Sequence, residues 1–205
     1  MTRDEGPTWE DHHYLNFWLW ACLNDGEAYL AADAAFHAAL QAGPTTDIRE
    51  FNERRLAAQR HVELAKYYFV TAIGSLLRNL KRTQELFLTI KPACEKAQHL
   101  FAEGKLLRDM IEHADQYIEG KGRKQAAFVR EAVGVANSLP GDAAGIADAT
   151  STIIDENGRW LGGRLNVERV IAEVRVIAEV AAQIPAPRPP LPDFLKVPAP
   201  PGAEA

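Results

Sequence analysis

One short segment of the sequence carries two side chains that together could cleave RNA. Arg108 and His113 lie five residues apart in a stretch with the apolar spacing of an amphipathic helix. Arginine is a permanent cation that can stabilise phosphate charge, and histidine moves protons near neutral pH. When the 2′-hydroxyl of RNA attacks the adjacent phosphate, a base takes the hydroxyl proton, an acid protonates the leaving oxygen and positive charge stabilises the phosphate. The pair therefore indicates a candidate site for RNA cleavage without a metal.

Three further side chains near this pair could assist it. Asp109 lies four residues before His113 on the same helical face, where a carboxylate can orient the imidazole. Glu112 lies four residues after Arg108, and Tyr117 lies four residues after His113. Arg108 and His113 are offset by roughly 140° around the helix, so a second helix must complete any groove that both of them border. The alternative interpretation is a solvated helix face with an ordinary Arg108–Glu112 ion pair.

The Arg-Asp-x-x-x-His segment resembles the signature of the HEPN superfamily (higher eukaryotes and prokaryotes nucleotide-binding). The resemblance covers about residues 47–122, with Arg108 as the signature arginine, Asp109 at the polar position and His113 as the signature histidine. It implies an α-helical bundle and a homodimer with Arg and His at the dimer cleft. Active members are metal-independent endoribonucleases, many of them toxins or defence effectors, which implies RNA as substrate and an antitoxin or inhibitor as partner. Some members carry a tyrosine that a partner nucleotidylates two residues after the histidine, where this chain has Asp115.

Helical patterns dominate the first part of the chain. Gly26 and Gly104 are expected to break helices, and Gly74 to bend a helix or to allow close packing. Asp47 is a good N-cap residue for the longest helix. The first predicted helix begins at Thr8 or Asp11. The others cover 27–40, 47–87, 92–102, 105–119 and 125–138.

The pattern changes after Pro140. Two strand-like runs within about 148–164 flank Asn157-Gly158, a dipeptide that favours a type I′ hairpin turn. Asn166 then caps an amphipathic helix over about 166–183.

The end of the sequence is rich in proline. We expect a single helical domain over 1–184, followed by an extended and poorly ordered tail over 185–205. Phe194 and Leu195 in this tail could dock on a neighbouring surface.

Composition restricts the classes of protein that fit. With 205 residues, 47% of them hydrophobic and 25% charged, the chain is globular rather than disordered. The formal net charge of −5 argues against a protein that coats nucleic acid, although basic residues outnumber acidic ones by four between Asp47 and Arg82. That basic helix could guide RNA or could be a mixed solvated helix.

Cysteine and histidine usage gives no sign of a metal centre. The two cysteines, Cys22 and Cys94, lie far apart without metal-ligand spacing, which argues against a disulfide framework or a zinc knuckle. Three histidines have an acid four residues upstream, which surface solvation explains better than a metal site, so we expect neither metal nor cofactor. The N-terminus lacks a secretory apolar core, and no apolar run is long enough to span a bilayer, so we expect a cytoplasmic protein without membrane contact.

These observations predict a mainly α protein, a bundle of about five or six helices with a small C-terminal β-hairpin. The first functional hypothesis is a HEPN-like, dimeric, metal-independent endoribonuclease or its nucleotide-binding relative. In it His113 is the general base or acid, Arg108 stabilises charge and Asp109 orients the histidine. The alternative is a non-catalytic helical protein that binds a partner through its tryptophan-rich N-terminus and its proline-rich tail.

Overall fold

The computed structural model describes residues 7–43, 47–123, 129–131, 146–148 and 151–187. Within these ranges the chain is mainly helical with a small antiparallel sheet near the C-terminus, which confirms the predicted fold class. The helices are α1 (Trp9–Gln41), α2 (Ile48–Thr83), α3 (Lys91–Glu112), α4 (Ala114–Ile118) and α5 (Val167–Ala181). The strands are β1 (Val129–Glu131), β2 (Ile146–Asp148), β3 (Thr152–Asp155), β4 (Gly158–Leu161) and β5 (Leu165–Asn166). No described helix is long and apolar enough to cross a membrane.

The first helix begins at a capping box and continues through the glycine that was expected to break it. Thr8 is the N-cap, and its side chain and backbone exchange hydrogen bonds with Asp11. A Cβ atom on Gly26 would lie 2.9 Å from both Ile171 Cγ1 and Phe69 Cε2. The prediction of a break at Gly26 is wrong because this glycine serves close packing of α2 and α5 against α1.

The second predicted glycine break is also wrong. Gly104 lies inside α3, and a Cβ atom there would overlap the side chain of Ile73 on α2. The predicted helices over 92–102 and 105–119 are therefore one helix, which ends at Glu112 and is followed by the short α4. Asp47 caps α2 as predicted, with its carboxylate accepting from the Arg49 amide at 2.8 Å.

The predicted hairpin is confirmed with its turn shifted by one residue. β3 and β4 pair antiparallel with Asp155 opposite Gly158, so the turn residues are Glu156 and Asn157. Asp155 Oδ1 accepts from the Asn157 amide at 2.8 Å, and this side-chain bond stabilises the turn. Gly158 begins β4 with a φ of 118°, a conformation that favours glycine.

The region that was expected to be helical over 125–138 contains a strand. β1 pairs antiparallel with β2, so the helix prediction is wrong for Val129–Glu131. The other residues of that predicted helix lie outside the described part of the chain, as do Phe194, Leu195 and the rest of the tail from 188 onward.

The C-terminal helix packs antiparallel to α1 and completes the core. Asn166 caps α5, as predicted, by accepting from the Arg169 amide at 2.8 Å. Arg159 of β4 links α1 to the start of α5. Its guanidinium donates to buried Asp33 on α1 at 2.7 Å and to Glu168 on α5 at 3.1 Å. Tyr29, fully buried in the core, reaches the sheet through a 3.1 Å hydrogen bond to Thr152.

We expect Gly104→Ala to lower the free energy of unfolding by about 1–3 kcal/mol, because the new methyl group overlaps Ile73 and forces α2 and α3 apart. Urea denaturation measures this loss. In the double variant with Ile73→Ala, the two losses should sum to more than the measured total, since the smaller side chain makes room for the methyl group. Additive losses would contradict this packing.

The capping box predicts an acid-dependent contribution to stability. Burial by itself raises the pKa of Asp11, but the hydrogen bonds from Thr8 and the charge of Arg82 outweigh it and hold this pKa below its usual value. The stabilisation is therefore present above the unfolded value of about 3.9 and is lost as the pH falls through the lower folded value. Asp11→Asn should cost about 1–2 kcal/mol at neutral pH and progressively less below about pH 4. Urea denaturation at neutral pH and below about pH 4 tests this, with the exposed Glu10→Gln as control. An equal loss of unfolding free energy at the two pH values would contradict it.

Candidate functional site

The end of α3, the short α4 and the turn after it surround an open cavity of about 550 Å³. All five residues singled out by the sequence line it, which places Arg108 and His113 at one site. The full lining consists of Lys105, Arg108, Asp109, Glu112, His113, Gln116, Tyr117 and Arg123.

Arg108 is held firmly at the wall of this cavity. Its side chain is only 16% exposed, and its Nη2 donates to Asp109 Oδ1 at 2.9 Å. Its Nε lies 3.3 Å from Glu112 Oε2 but makes no aligned hydrogen bond. A Cβ atom on Gly74 would lie 3.3 Å from Nη1, so the glycine of α2 leaves the space that the guanidinium occupies. The Arg108–Glu112 pair exists, but it does not belong to a solvated helix face.

His113 lies at the junction between two helices rather than within one. Its φ of −122° and ψ of 31° end α3, and its carbonyl accepts from the Tyr117 amide at 3.2 Å, within the next turn. The imidazole is exposed toward the cavity side of the junction. In the described structure Asp109 pairs with Arg108 and makes neither a hydrogen bond nor an ion pair with His113. Asp109 therefore does not contact His113 in this structure, because the helical geometry on which that expectation depended stops at Glu112, and its role as the orienting group stays a prediction.

Tyr117 connects the cavity to the core. The side chain is buried, and a Cβ atom on Gly122 would overlap its ring, so the turn after α4 packs directly on the tyrosine. This turn passes through Gly120, whose φ is 76°, and brings Arg123 to the cavity. Sequence reasoning missed Arg123 because only the folded turn shows where it lies.

The charge at the cavity favours an anion. Lys105, Arg108 and Arg123 supply three cations against the carboxylates of Asp109 and Glu112. The excess of positive charge is small, but it contrasts with the formal net charge of −5 for the whole chain. The two carboxylates also compete with any bound phosphate for the guanidinium.

The basic helix predicted from the sequence keeps most of its excess of positive charge in the fold. Lys66 is buried and lies 2.6 Å from Glu63, and Arg82 lies 2.9 Å from Asp11. Because Glu63 belongs to the same segment, among the described ion pairs only the carboxylate of Asp11 on α1 offsets a cation of the excess of four.

Other candidate chemistry is weaker. Burial raises the pKa of both thiols, that of Cys94 to about 11, so neither cysteine is an activated nucleophile. His37 Nε2 lies 3.7 Å from Asp33, whose carboxylate is already bound by Arg159. Among the described residues, no three metal-ligating side chains come together.

No family model, curated protein or solved structure matches this chain. The HEPN resemblance stays a prediction, and the functional argument depends on the cavity itself.

Removing one of the two carboxylates should strengthen anion binding at the cavity. A unit charge about 4 Å away is worth about 1 kcal/mol in water, so Asp109→Asn or Glu112→Gln should raise the affinity for inorganic phosphate about fivefold. Amide chemical shifts during a phosphate titration at constant ionic strength measure this. Glu119→Gln is the matched control, since Glu119 pairs with Lys121 outside the cavity lining. An unchanged affinity in both test variants would contradict an anion site at Arg108.

Proposed function

We propose that this protein is a metal-independent endoribonuclease of the HEPN type, with Arg108 and His113 as its central residues. The observation that carries the proposal is their shared position at one open, locally basic cavity. A largely buried, fixed guanidinium next to an exposed imidazole is the combination that phosphate charge stabilisation and proton transfer use.

Arg108 supplies the electrostatic part of the proposed reaction. Asp109 and Glu112 hold the guanidinium in place, and the N–H groups of its Nη1 and Nη2 atoms can donate to the phosphate oxygens of RNA, whereas its Nε is buried. The 2′-oxygen attacks phosphorus, the bond from phosphorus to the 5′-oxygen breaks, and the product strand carries a 2′,3′-cyclic phosphate. Charge on the phosphate grows during this step, which is where a fixed cation is most effective.

His113 supplies proton transfer. As a base it takes the 2′-hydroxyl proton, and as an acid it donates a proton to the leaving 5′-oxygen. The described cavity of one chain contains a single histidine, so the other proton-transfer group comes from His113 of a second copy. The proposal therefore includes a homodimer with RNA across its two-fold axis. Tyr117 is the accessory side chain of the site, and an antitoxin or inhibitor that covers the cavity is the partner that such a nuclease requires.

One observation favours the alternative, a non-catalytic protein that binds a partner. Large aromatic side chains lie exposed near the start of α1, away from the cavity. A protein of this second kind would keep its function when Arg108 and His113 are replaced.

Cleavage of RNA in the presence of EDTA tests the nuclease proposal. Wild-type protein should cut a mixed RNA pool and leave 2′,3′-cyclic phosphate ends, and Arg108→Ala and His113→Ala should each lower the rate by about 10²–10⁴-fold. Substrates with a 2′-deoxy group at the cleavage position should remain intact.

The chain offers matched controls on α2. Arg55 and His61 have nearly the same spacing as the proposed pair but do not line its cavity. Arg55→Ala and His61→Ala should cut RNA at the wild-type rate. Equal activity in all variants, or no cleavage of diverse RNAs by the wild-type dimer, would overturn the proposal.

A further inference from the structure

Arg108, the central cation of the cavity, is paired with two carboxylates. Its Nη2 lies 2.9 Å from Asp109, and its Nε lies 3.3 Å from Glu112. One positive and two negative charges leave these three side chains with a formal net charge of −1. Such a cluster does not attract a phosphate from solution, because repulsion by two carboxylates exceeds attraction by one guanidinium. The attraction for an RNA strand must therefore come from other side chains of the cavity.

Lys105 and Arg123, here called the basic pair, are the other two cations that line the cavity. Both side chains are exposed, and neither makes an ion pair within the described part of the chain. Asp109 lies four residues after Lys105, a spacing that suits an ion pair on a helix, but its carboxylate is bound by Arg108 instead. The basic pair therefore changes the formal charge of the cavity lining from −1 to +1.

The two members of the basic pair come from different structural supports. Lys105 lies on α3 three residues before Arg108, and side chains at that spacing are neighbours on a helix surface. Arg123 follows α4, and the turn before it packs on the ring of Tyr117. Lys105 thus belongs to the helix that holds Arg108, and Arg123 to the segment that begins at His113. A strand that contacts both cations contacts both supports of the cavity.

The cavity has room for more than one phosphate group. Its volume of about 550 Å³ lies within the range of pockets that take drug-sized ligands. A strand of RNA presents one negative charge per nucleotide, and contacts from lysine and arginine to its phosphates supply most of the affinity that is independent of sequence. One phosphate at Arg108 and its neighbours at the two uncompensated cations match this regular series of charges.

We propose that the basic pair is a separate subsite of the cavity, which binds the RNA phosphates adjacent to the one that is cleaved. This assignment rests on the proposed function, since it concerns how the same site holds its substrate. The carboxylates that fix Arg108 weaken its attraction for a phosphate in the ground state, whereas a fixed cation remains effective when charge grows in the transition state. The basic pair supplies the binding that Arg108 lacks.

The salt dependence of oligonucleotide binding tests the basic pair without any need for cleavage. The probe is a fluorescently labelled tetranucleotide of 2′-deoxy residues, which has three phosphates between its nucleotides and no 2′-hydroxyl to attack them. Each cation that neutralises a phosphate of a single strand contributes about 0.7 to the slope of log affinity against log salt concentration. Lys105→Gln and Arg123→Gln should each reduce the slope by about that amount. Each should also weaken binding about fivefold, because one unit charge near the phosphate is lost.

Two variants serve as controls for charge and position. Lys105→Arg keeps the positive charge and should keep the wild-type slope. Lys121→Gln removes an exposed cation that pairs with Glu119 outside the cavity lining, and it should also bind with the wild-type slope.

The length of the probe separates a strand site from a site for a single anion. The wild-type protein should bind the tetranucleotide about 25-fold more tightly than a dinucleotide with one phosphate, since two contacts of about fivefold each are added. The double variant Lys105→Gln/Arg123→Gln should bind both probes alike. With RNA as substrate, the same double variant should raise KM about 25-fold and change kcat far less.

Unchanged slopes in both single variants would overturn the proposal, even if the wild-type protein cuts RNA. Equal wild-type affinity for the two probes would overturn it as well, and so would a loss of slope in Lys121→Gln as large as that in Lys105→Gln. If the slopes fall as expected but the wild-type protein cuts no RNA, the basic pair is confirmed as a strand-binding site and the nuclease proposal alone fails.

Discussion

The contact between α2 and α3 at two glycines is the constraint on which both the core and the cavity depend. Ile73 of α2 packs into the space over Gly104 of α3, and Arg108 of α3 packs over Gly74 of α2. Each helix therefore contributes one glycine and one larger side chain, and the larger side chain of each helix packs over the glycine of the other. Because Ile73 and Gly74 are adjacent, the same close approach that buries an apolar residue also sets the position of the guanidinium. Stability and the geometry of the candidate site cannot be separated at this contact.

Local hydrogen bonds made much of the fold predictable. Thr8, Asp47 and Asn166 cap helices where their sequence context indicates, since a cap depends on residues within one turn. The predicted helix breaks at Gly26 and Gly104 are wrong because these glycines allow close contact with distant helices, which a local sequence pattern does not contain. The three residues of β1 were missed for the same reason, since their pairing partner is a distant segment.

The sequence predicted residues that line the candidate site but not which of these side chains pair with one another. Arg108 and His113 were expected to border one cavity and do so, but the helix end at Glu112 removes the face that Asp109 and His113 were expected to share. No side-chain hydrogen bond caps the helix at this junction, so the local sequence contains no signal that α3 ends at Glu112. Asp109 therefore acts as an electrostatic partner of Arg108, which lowers the net positive charge that a phosphate would meet.

The helix junction at His113 separates the mechanical supports of the two central side chains. Arg108 belongs to the rigid packing of α2 against α3, whereas His113 is anchored through the backbone bond to Tyr117 and the small unit formed by α4 and the Gly120–Gly122 turn. A tilt of that unit by a few degrees displaces the imidazole and leaves the guanidinium in place. The distance between the guanidinium and the imidazole thus depends on how one five-residue helix packs, as well as on the contact between α2 and α3.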